Sequence, residues 1–145
     1  MAEYSDGRLR ELYFDAFEKR ELKEAIEFRK QIIERGNGNL DDYFTVGECL
    51  FEIGEYAQCV DMLTHCINMG LEQNDSWYQS AAYTLRAYGL IKVGKYNEAM
   101  FDISNIQNNE GVFWLRNHPE IDKKLLEKFL KSEVGHSSVN KKRSK

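Results

Sequence analysis

The stretch EIGEYAQCVDML, Glu52–Leu63, is answered by KVGKYNEAMFDI, Lys92–Ile103. Both run apolar, Gly, charged, Tyr, with a small residue three places after the Tyr, at an offset of 40 residues. The shared positions hold no acid–base pair and no ligand spacing. They read instead as a helix, a glycine turn and a second helix. Tyr43–Ile53 and Tyr56–Met69 flank Gly54, and Ser76–Val93 and Tyr96–Gln107 flank Gly94.

Working outward, Arg8–Phe17 has helical apolar spacing, with Ser5 or Asp6 able to cap it. Leu22–Ile33 is a second helical run, stopped at RGNGN (Arg35–Asn39), and Asn39 can start the next helix. Gly70 is expected to end the fourth helix, and Asn74 or Asp75 to cap the fifth. Pro119 suits the first turn of a seventh helix, Glu120–Lys131, with Ile121, Leu125, Leu126 and Phe129 on one stripe. From Ser132 the periodicity stops, and 132–145 is expected to be a disordered basic tail. No useful length alternates with period two. The expected class is all-α, built from antiparallel helix hairpins in one domain over 1–131.

Composition narrows the function classes. The chain has 145 residues, 42% hydrophobic and 30% charged, with 20 basic against 24 acidic groups. The final KKRSK holds four of the basic groups, which leaves 16 against 24 for the body. An acidic body lacks the positive footprint of a DNA or RNA binder and suits a basic partner. No stretch approaches the ~20 apolar residues of a membrane span, and the polar start MAEYSDGR is unlike a secretory signal. A cytoplasmic protein is expected. The basic tail reads as a solubilising end, or as a nuclear signal or RNA-contacting arm.

The chemistry-bearing residues have plain structural readings. Cys59 and Cys66 share a helix face and read as small core residues rather than ligands, because no CxxC and no second ligand pair exist. Cys49 has no nearby sequence partner. Asp61 and His65 are four apart and read as a solvated pair. His118 reads as a cap or loop residue, and His136 falls in the tail. No phosphate loop, nucleophile elbow or HExxH is present. No cofactor, metal or catalytic residue is expected. A small enzyme using Cys49 or the Asp61/His65 pair is the remote alternative.

The repeated phrase resembles the tetratricopeptide repeat, a helix–turn–helix unit of about 34 residues. The resemblance covers 5–112 as three units. The second, 40–73, carries Gly47, Gly54, Tyr56, Cys59 and Cys66 at the family's small and turn positions. The third, 80–112, has Ala87, Gly94, Tyr96, Ala99 and Ile106 in the same roles. The first, 5–38, keeps Ala25 but has Tyr13, Arg20 and Leu22 at the others. The 40-residue offset and the missing unit-terminal Pro depart from the family pattern. The resemblance implies a right-handed solenoid with a capping helix at about 119–131. It also implies that the first helix of each unit lines a concave groove. That groove would hold Arg10, Phe14, Phe17 and Glu18, then Phe44, Glu48, Phe51 and Glu52, then Thr84, Tyr88, Ile91 and Lys92.

One branch of the family clamps the acidic tails of heat-shock chaperones with Lys, Asn and Arg on these helices. Of the matching positions only Arg10 has that character; Phe14, Phe44, Thr45, Glu48, Ala81 and Leu85 do not. The implied ligand is therefore a protein or peptide with basic and apolar side chains. Asp75–Ile103, together with GVFWLRNHPEI (Gly111–Ile121), is also similar in texture to small bacterial immunity proteins that neutralise one cognate toxin. An adaptor or co-chaperone within a larger assembly is the alternative, self-associating through the apolar stripe of the sixth and seventh helices.

Overall fold

A computed structural model describes residues 3–106 and 121–143, with side chains through 135. Every element among them is helical: α1 Asp6–Glu18, α2 Leu22–Glu34, α3 Leu40–Glu52, α4 Tyr56–Gln73, α5 Gln79–Lys92, α6 Tyr96–Ser104 and α7 Lys123–Arg143. Each helix packs on the next, and α3 also meets α5, as α5 meets α7. The result is two layers, α1–α3–α5–α7 and α2–α4–α6. The all-α hairpin arrangement with a C-terminal helix is the one expected.

The three hairpin turns are the same piece of backbone. Gly54 and Gly94 sit at φ 80° and 82°, and Arg20 takes the equivalent left-handed place at φ 59°. In each turn the left-handed residue donates to the carbonyl three back, to Phe17, Phe51 or Ile91. The next N–H donates five back, to Ala16, Leu50 or Ala16's other counterpart Leu90. Paired bonds of this kind satisfy the last carbonyls of the first helix. The second helices then start without a side-chain cap, at Glu21, Glu55 and Lys95 with ψ 72°, 70° and 71°. The first hairpin therefore makes the glycine turn with an arginine, at a conformational cost that glycine avoids. Arg20 gains an ion pair with Glu52 of α3.

Core positions repeat with the turns. Five places after each turn stand Ala25, Cys59 and Ala99, all fully buried. Twelve places after stand Ile32, Cys66 and Ile106, also buried. Seven before and nine after stand Gly47 and Leu63, Ala87 and Ile103, and Tyr13 and Arg29; Gly47 faces Leu63, and Arg29 lies over Tyr13. A Cβ on Gly47 would lie 2.6 Å from a Leu63 methyl, so the α3–α4 crossing has no room for one.

Several boundaries differ from expectation, each for a local reason. Asn39 and Asp42 form a reciprocal capping box, so α3 begins at Leu40. Gly70 lies inside α4 and does not end it; a Cβ there would come within 2.9 Å of the Asp75 carbonyl. The helix ends instead at Asn74, which is left-handed at φ 54°. Asp75 accepts from the Trp77 N–H at 3.0 Å, a local turn that delays α5 to Gln79. The seventh helix starts with Asp122 accepting from the Leu125 N–H and runs to Arg143, through most of the expected tail. Gly135 is not left-handed and does not stop it. Helix propagation adds one bond per residue without needing an apolar face, so hydrophobic periodicity could not mark that extension. The expected ends of α6 at Gln107 and of the third unit at Val112, together with His118 and Pro119, lie outside the described residues.

Two glycine substitutions separate the two glycine roles. Gly47→Ala should destabilise by about 1–3 kcal/mol through overpacking against Leu63. Gly36→Ala meets open space and should cost only about 1–2 kcal/mol, from its left-handed φ of 80°. Urea midpoints should shift for both. Only Gly47→Ala should be relieved by Leu63→Ala in the same chain.

Candidate functional site

The first hairpin departs from the repeat at its facing pair, and chemistry gathers there. Arg29 occupies the place of Leu63 and Ile103, and its side chain is fully buried. A buried guanidinium needs compensating charge. Arg29 Nη1 donates to Asp42 Oδ1 at 2.6 Å and to Asp41 Oδ2 at 2.9 Å. Its plane lies over the Tyr13 ring, 4.1 Å from the centroid, with Phe14 at 5.3 Å. Its Nε and Nη2 have no hydrogen-bond partner. Asp42, also fully buried, accepts two further bonds from Arg10, at 3.2 and 2.8 Å, and one from the Asn39 N–H at 3.0 Å. The Tyr78 hydroxyl donates to the second oxygen of Asp41. Four segments, α1, α2, the start of α3 and the approach to α5, are thus joined through charged hydrogen bonds.

These interactions set the ionisation. Burial alone would raise Asp42, but hydrogen bonds from Arg10, the Asn39 N–H and Arg29 outweigh it and hold its pKa below the usual range. The Asp42 hydrogen bond correspondingly raises Arg10 against its desolvation. Tyr78 is raised by burial and by its bond to Asp41. A second buried carboxylate, Asp102, takes a two-pronged bond from Arg86 at 2.7 and 2.6 Å. Arg86 also reaches the Thr64 hydroxyl at 3.2 Å, joining α4, α5 and α6.

In front of Arg29 the α1–α3 junction opens into a cleft of about 440 Å³. Tyr13, Phe14, Phe17, Phe44 and Tyr78 supply its rings, and Glu18, Asp41, Glu48, Arg20 and Thr45 its polar groups. Phe14 and Glu18 are exposed, whereas Glu48 is half-buried. Phe44 lines the floor at 4% exposure, stacked 4.7 Å from the Tyr78 ring.

The other expected groove residues lie elsewhere. Arg10 is engaged by Asp42. The Glu52 side chain is only 4% exposed and is ion-paired with Arg20, so it does not present a free carboxylate. Phe51 is buried, edge-on to Tyr88 at 5.0 Å. Thr84 is buried with its hydroxyl on the Ser80 carbonyl at 2.7 Å, and Ile91 is buried as well. Tyr88 is met by Phe129 of α7 at 5.0 Å, and Lys92 Nζ lies 5.5–5.9 Å from the rings of Tyr56, Tyr88 and Phe129. Tyr88 and Phe129 border a separate hollow of about 650 Å³ with Asp122, Lys124 and Lys128. The expected continuous groove is therefore divided. Phe14, Phe17, Glu18, Phe44 and Glu48 share one cleft, while Tyr88 and Lys92 belong to the surface beside α7.

The cysteines behave as packing residues. Cys49, Cys59 and Cys66 are all buried, and burial pushes each thiol up to about 12. Neutral thiols at physiological pH are poor nucleophiles and poor ligands. His65 packs against the Tyr43 ring at 5.7 Å. Among the described residues no His, Cys, Asp and Glu side chains cluster as metal ligands, and no helix is long and apolar enough to cross a membrane. No protein-family model matches the chain, and no curated protein matches it.

Three measurements check this account. Asp42→Ala should cost about 3–5 kcal/mol, because it leaves Arg29 buried without its main counter-charge. Asp42 also fixes a sign with pH. Its lowered folded pKa gives a contribution that is complete above the unfolded carboxylate value of about 4. That contribution is lost as pH falls through the folded value. Urea midpoints taken downward from neutral pH should fall more steeply for the native chain than for Asp42→Asn. The native thiols should resist an aromatic disulfide reagent until denaturant is added.

Proposed function

We propose that this chain is a non-catalytic, tetratricopeptide-like binding module that captures a basic partner protein through the α1–α3–α5–α7 face. The observation that carries the proposal is the aromatic cleft between α1 and α3, with its excess of carboxylates. Around it stand the guanidiniums of Arg10, Arg20 and Arg29 against the carboxylates of Glu18, Asp41, Asp42, Glu48 and Glu52. The acidic body supports the same sign of partner over longer range. Buried, neutral thiols give no support to cysteine chemistry.

The particular role we infer is that of a cytoplasmic immunity protein that neutralises a toxin domain with a basic surface. The sequence texture of Asp75–Ile103 agrees with it. A second reading, an adaptor that self-associates, draws on Met100 and Phe101 of α6, which are 56% and 61% exposed. Light scattering separates the two, since a stable dimer favours the adaptor.

The cleft test must spare the floor. Phe44 is core and its truncation would unfold the junction, so Phe14→Ala with Glu48→Lys is the informative variant. Helicity and melting temperature should remain near native. Binding of a toxin domain encoded beside this gene should weaken by about tenfold or more, which is about 1.4 kcal/mol. Undiminished binding by the folded variant would remove the cleft from the proposal.

A further inference from the structure

The hollow between α5 and α7 gathers apolar surface and positive charge in one place. We propose that it is a binding site for a small amphipathic anion, an apolar body that carries one carboxylate. The site is separate from the cleft between α1 and α3. It adds a small-molecule ligand to the partner protein proposed above and does not depend on that partner.

The charge arrangement selects the sign. Lys124 and Lys128 stand one turn apart on α7, line the hollow and are exposed. Lys92, at the end of α5, does not line it, but its Nζ lies 5.9 and 5.5 Å from the centroids of two lining rings, Tyr88 and Phe129. Among the described residues none of these three lysines is ion-paired. The one carboxylate in the lining, Asp122, starts α7 by accepting from the Leu125 N–H at 2.8 Å. Glu127 and Glu133 of α7 do not line the hollow. Three ammonium groups from two helices therefore border the aromatic wall, against one carboxylate that is already hydrogen-bonded. The first turn of α7 adds the positive end of its helix dipole. A cation would meet this excess, and an anion is drawn to it.

Shape and surface select the rest of the ligand. A volume of about 650 Å³ falls within the range of small-molecule sites. Tyr88, Leu125 and Phe129 form the apolar wall, and each is only half-buried, so each keeps surface for a ligand to cover. The wall is held in place. The Tyr88 and Phe129 rings are 5.0 Å apart, and Phe51 meets Tyr88 edge-on from the other side at 5.0 Å. Little side-chain freedom remains to be lost when a ligand covers it. Exposed ion pairs are individually weak. The carboxylate therefore supplies selectivity, while the apolar contact supplies most of the attraction. The chain as a whole carries 20 basic against 24 acidic groups, which opposes the approach of a polyanion such as a nucleic acid. A single carboxylate on a compact apolar body meets the local lysines without collecting that repulsion.

The test uses the whole chain, isotope-labelled, titrated with 3-phenylpropionate. The neutral 3-phenylpropionamide, the cationic 3-phenylpropylammonium and plain acetate are run beside it. Phenylpropionate should give saturable amide shifts centred on Tyr88, Lys124, Leu125, Lys128 and Phe129. The amide and acetate should each bind at least about tenfold more weakly. Raised salt and Lys124→Gln with Lys128→Gln should each weaken phenylpropionate binding by about threefold or more. Both lysines are exposed, so the double variant should keep native helicity; if it does not, Lys128→Gln alone serves. Equal binding of the amide overturns the proposal in favour of a plain apolar hollow. Equal binding of acetate reduces the site to a lysine patch and overturns it as well. Preferential binding of the ammonium compound reverses the sign. Shifts centred on Phe14 and Phe44 place the ligand in the other cleft, and undiminished binding by the folded variant removes the lysines. If none of the four compounds gives saturable shifts, the site is absent. Capture of the toxin domain is a separate measurement, and its outcome leaves this one unchanged.

Discussion

The buried guanidinium of Arg29 is the constraint around which the first half of the molecule is arranged. A charge with no solvent access is tolerable only where opposite charge and polarisable surface surround it. Asp42 and Asp41 supply the first, and the Tyr13 ring the second. Each compensating group then has its own requirement. Asp42 draws in Arg10 and the Asn39 capping box, and Asp41 draws in Tyr78. Tyr78 in turn fixes Phe44. The walls of the cleft are the outer members of this chain of dependence, so its shape follows from satisfying one buried cation.

Departures from the repeat mark where this protein differs from a bare scaffold. The three turns share the same bonds and nearly the same angles, and the positions five and twelve after each turn are buried throughout. Against that regularity, Tyr13 with Arg29 replaces the close-packed Gly47 with Leu63. The aromatic–cation pair fills a crossing that elsewhere is closed by small and aliphatic residues. Arg20 replaces a turn glycine and carries an ion pair to the next unit. Asp102 and Arg86 place a second internal ion pair between the later helices. Each substitution exchanges backbone ease or hydrophobic packing for a directed polar contact between elements.

Much of the fold could be read directly. The glycine turns, the apolar stripes and the Asn39 cap located six helices closely, because turn geometry and amphipathicity are local properties. The site was only partly legible. Phe14, Glu18, Phe44 and Glu48 were named, because their places on first helices follow from the register. Phe44 was expected as a groove contact and is instead a stacked core residue that reaches the cleft floor. Tyr78 and Asp41 were missed, since they come from a loop end and a helix start with no periodic signal. Arg29 did leave a trace: a lone arginine in register with Leu63 and Ile103, visible once the turns are superposed on Arg20 rather than on glycine alone.

The sequence by itself determined the class of structure. It specified where the chain must turn, which residues are small enough for helices to cross, and that the body would be acidic, because these are properties of single residues and short spacings. Only the tertiary structure decided which charges are buried in ion pairs and which border the cleft. Glu52 and Glu48 look alike on one helix face, yet Glu52 is sequestered by Arg20 and Glu48 borders the cleft. That difference depends on side chains 32 residues away and on how far each carboxylate is removed from water. Hairpin geometry is written locally, but electrostatic complementarity is a sum over everything the fold brings near.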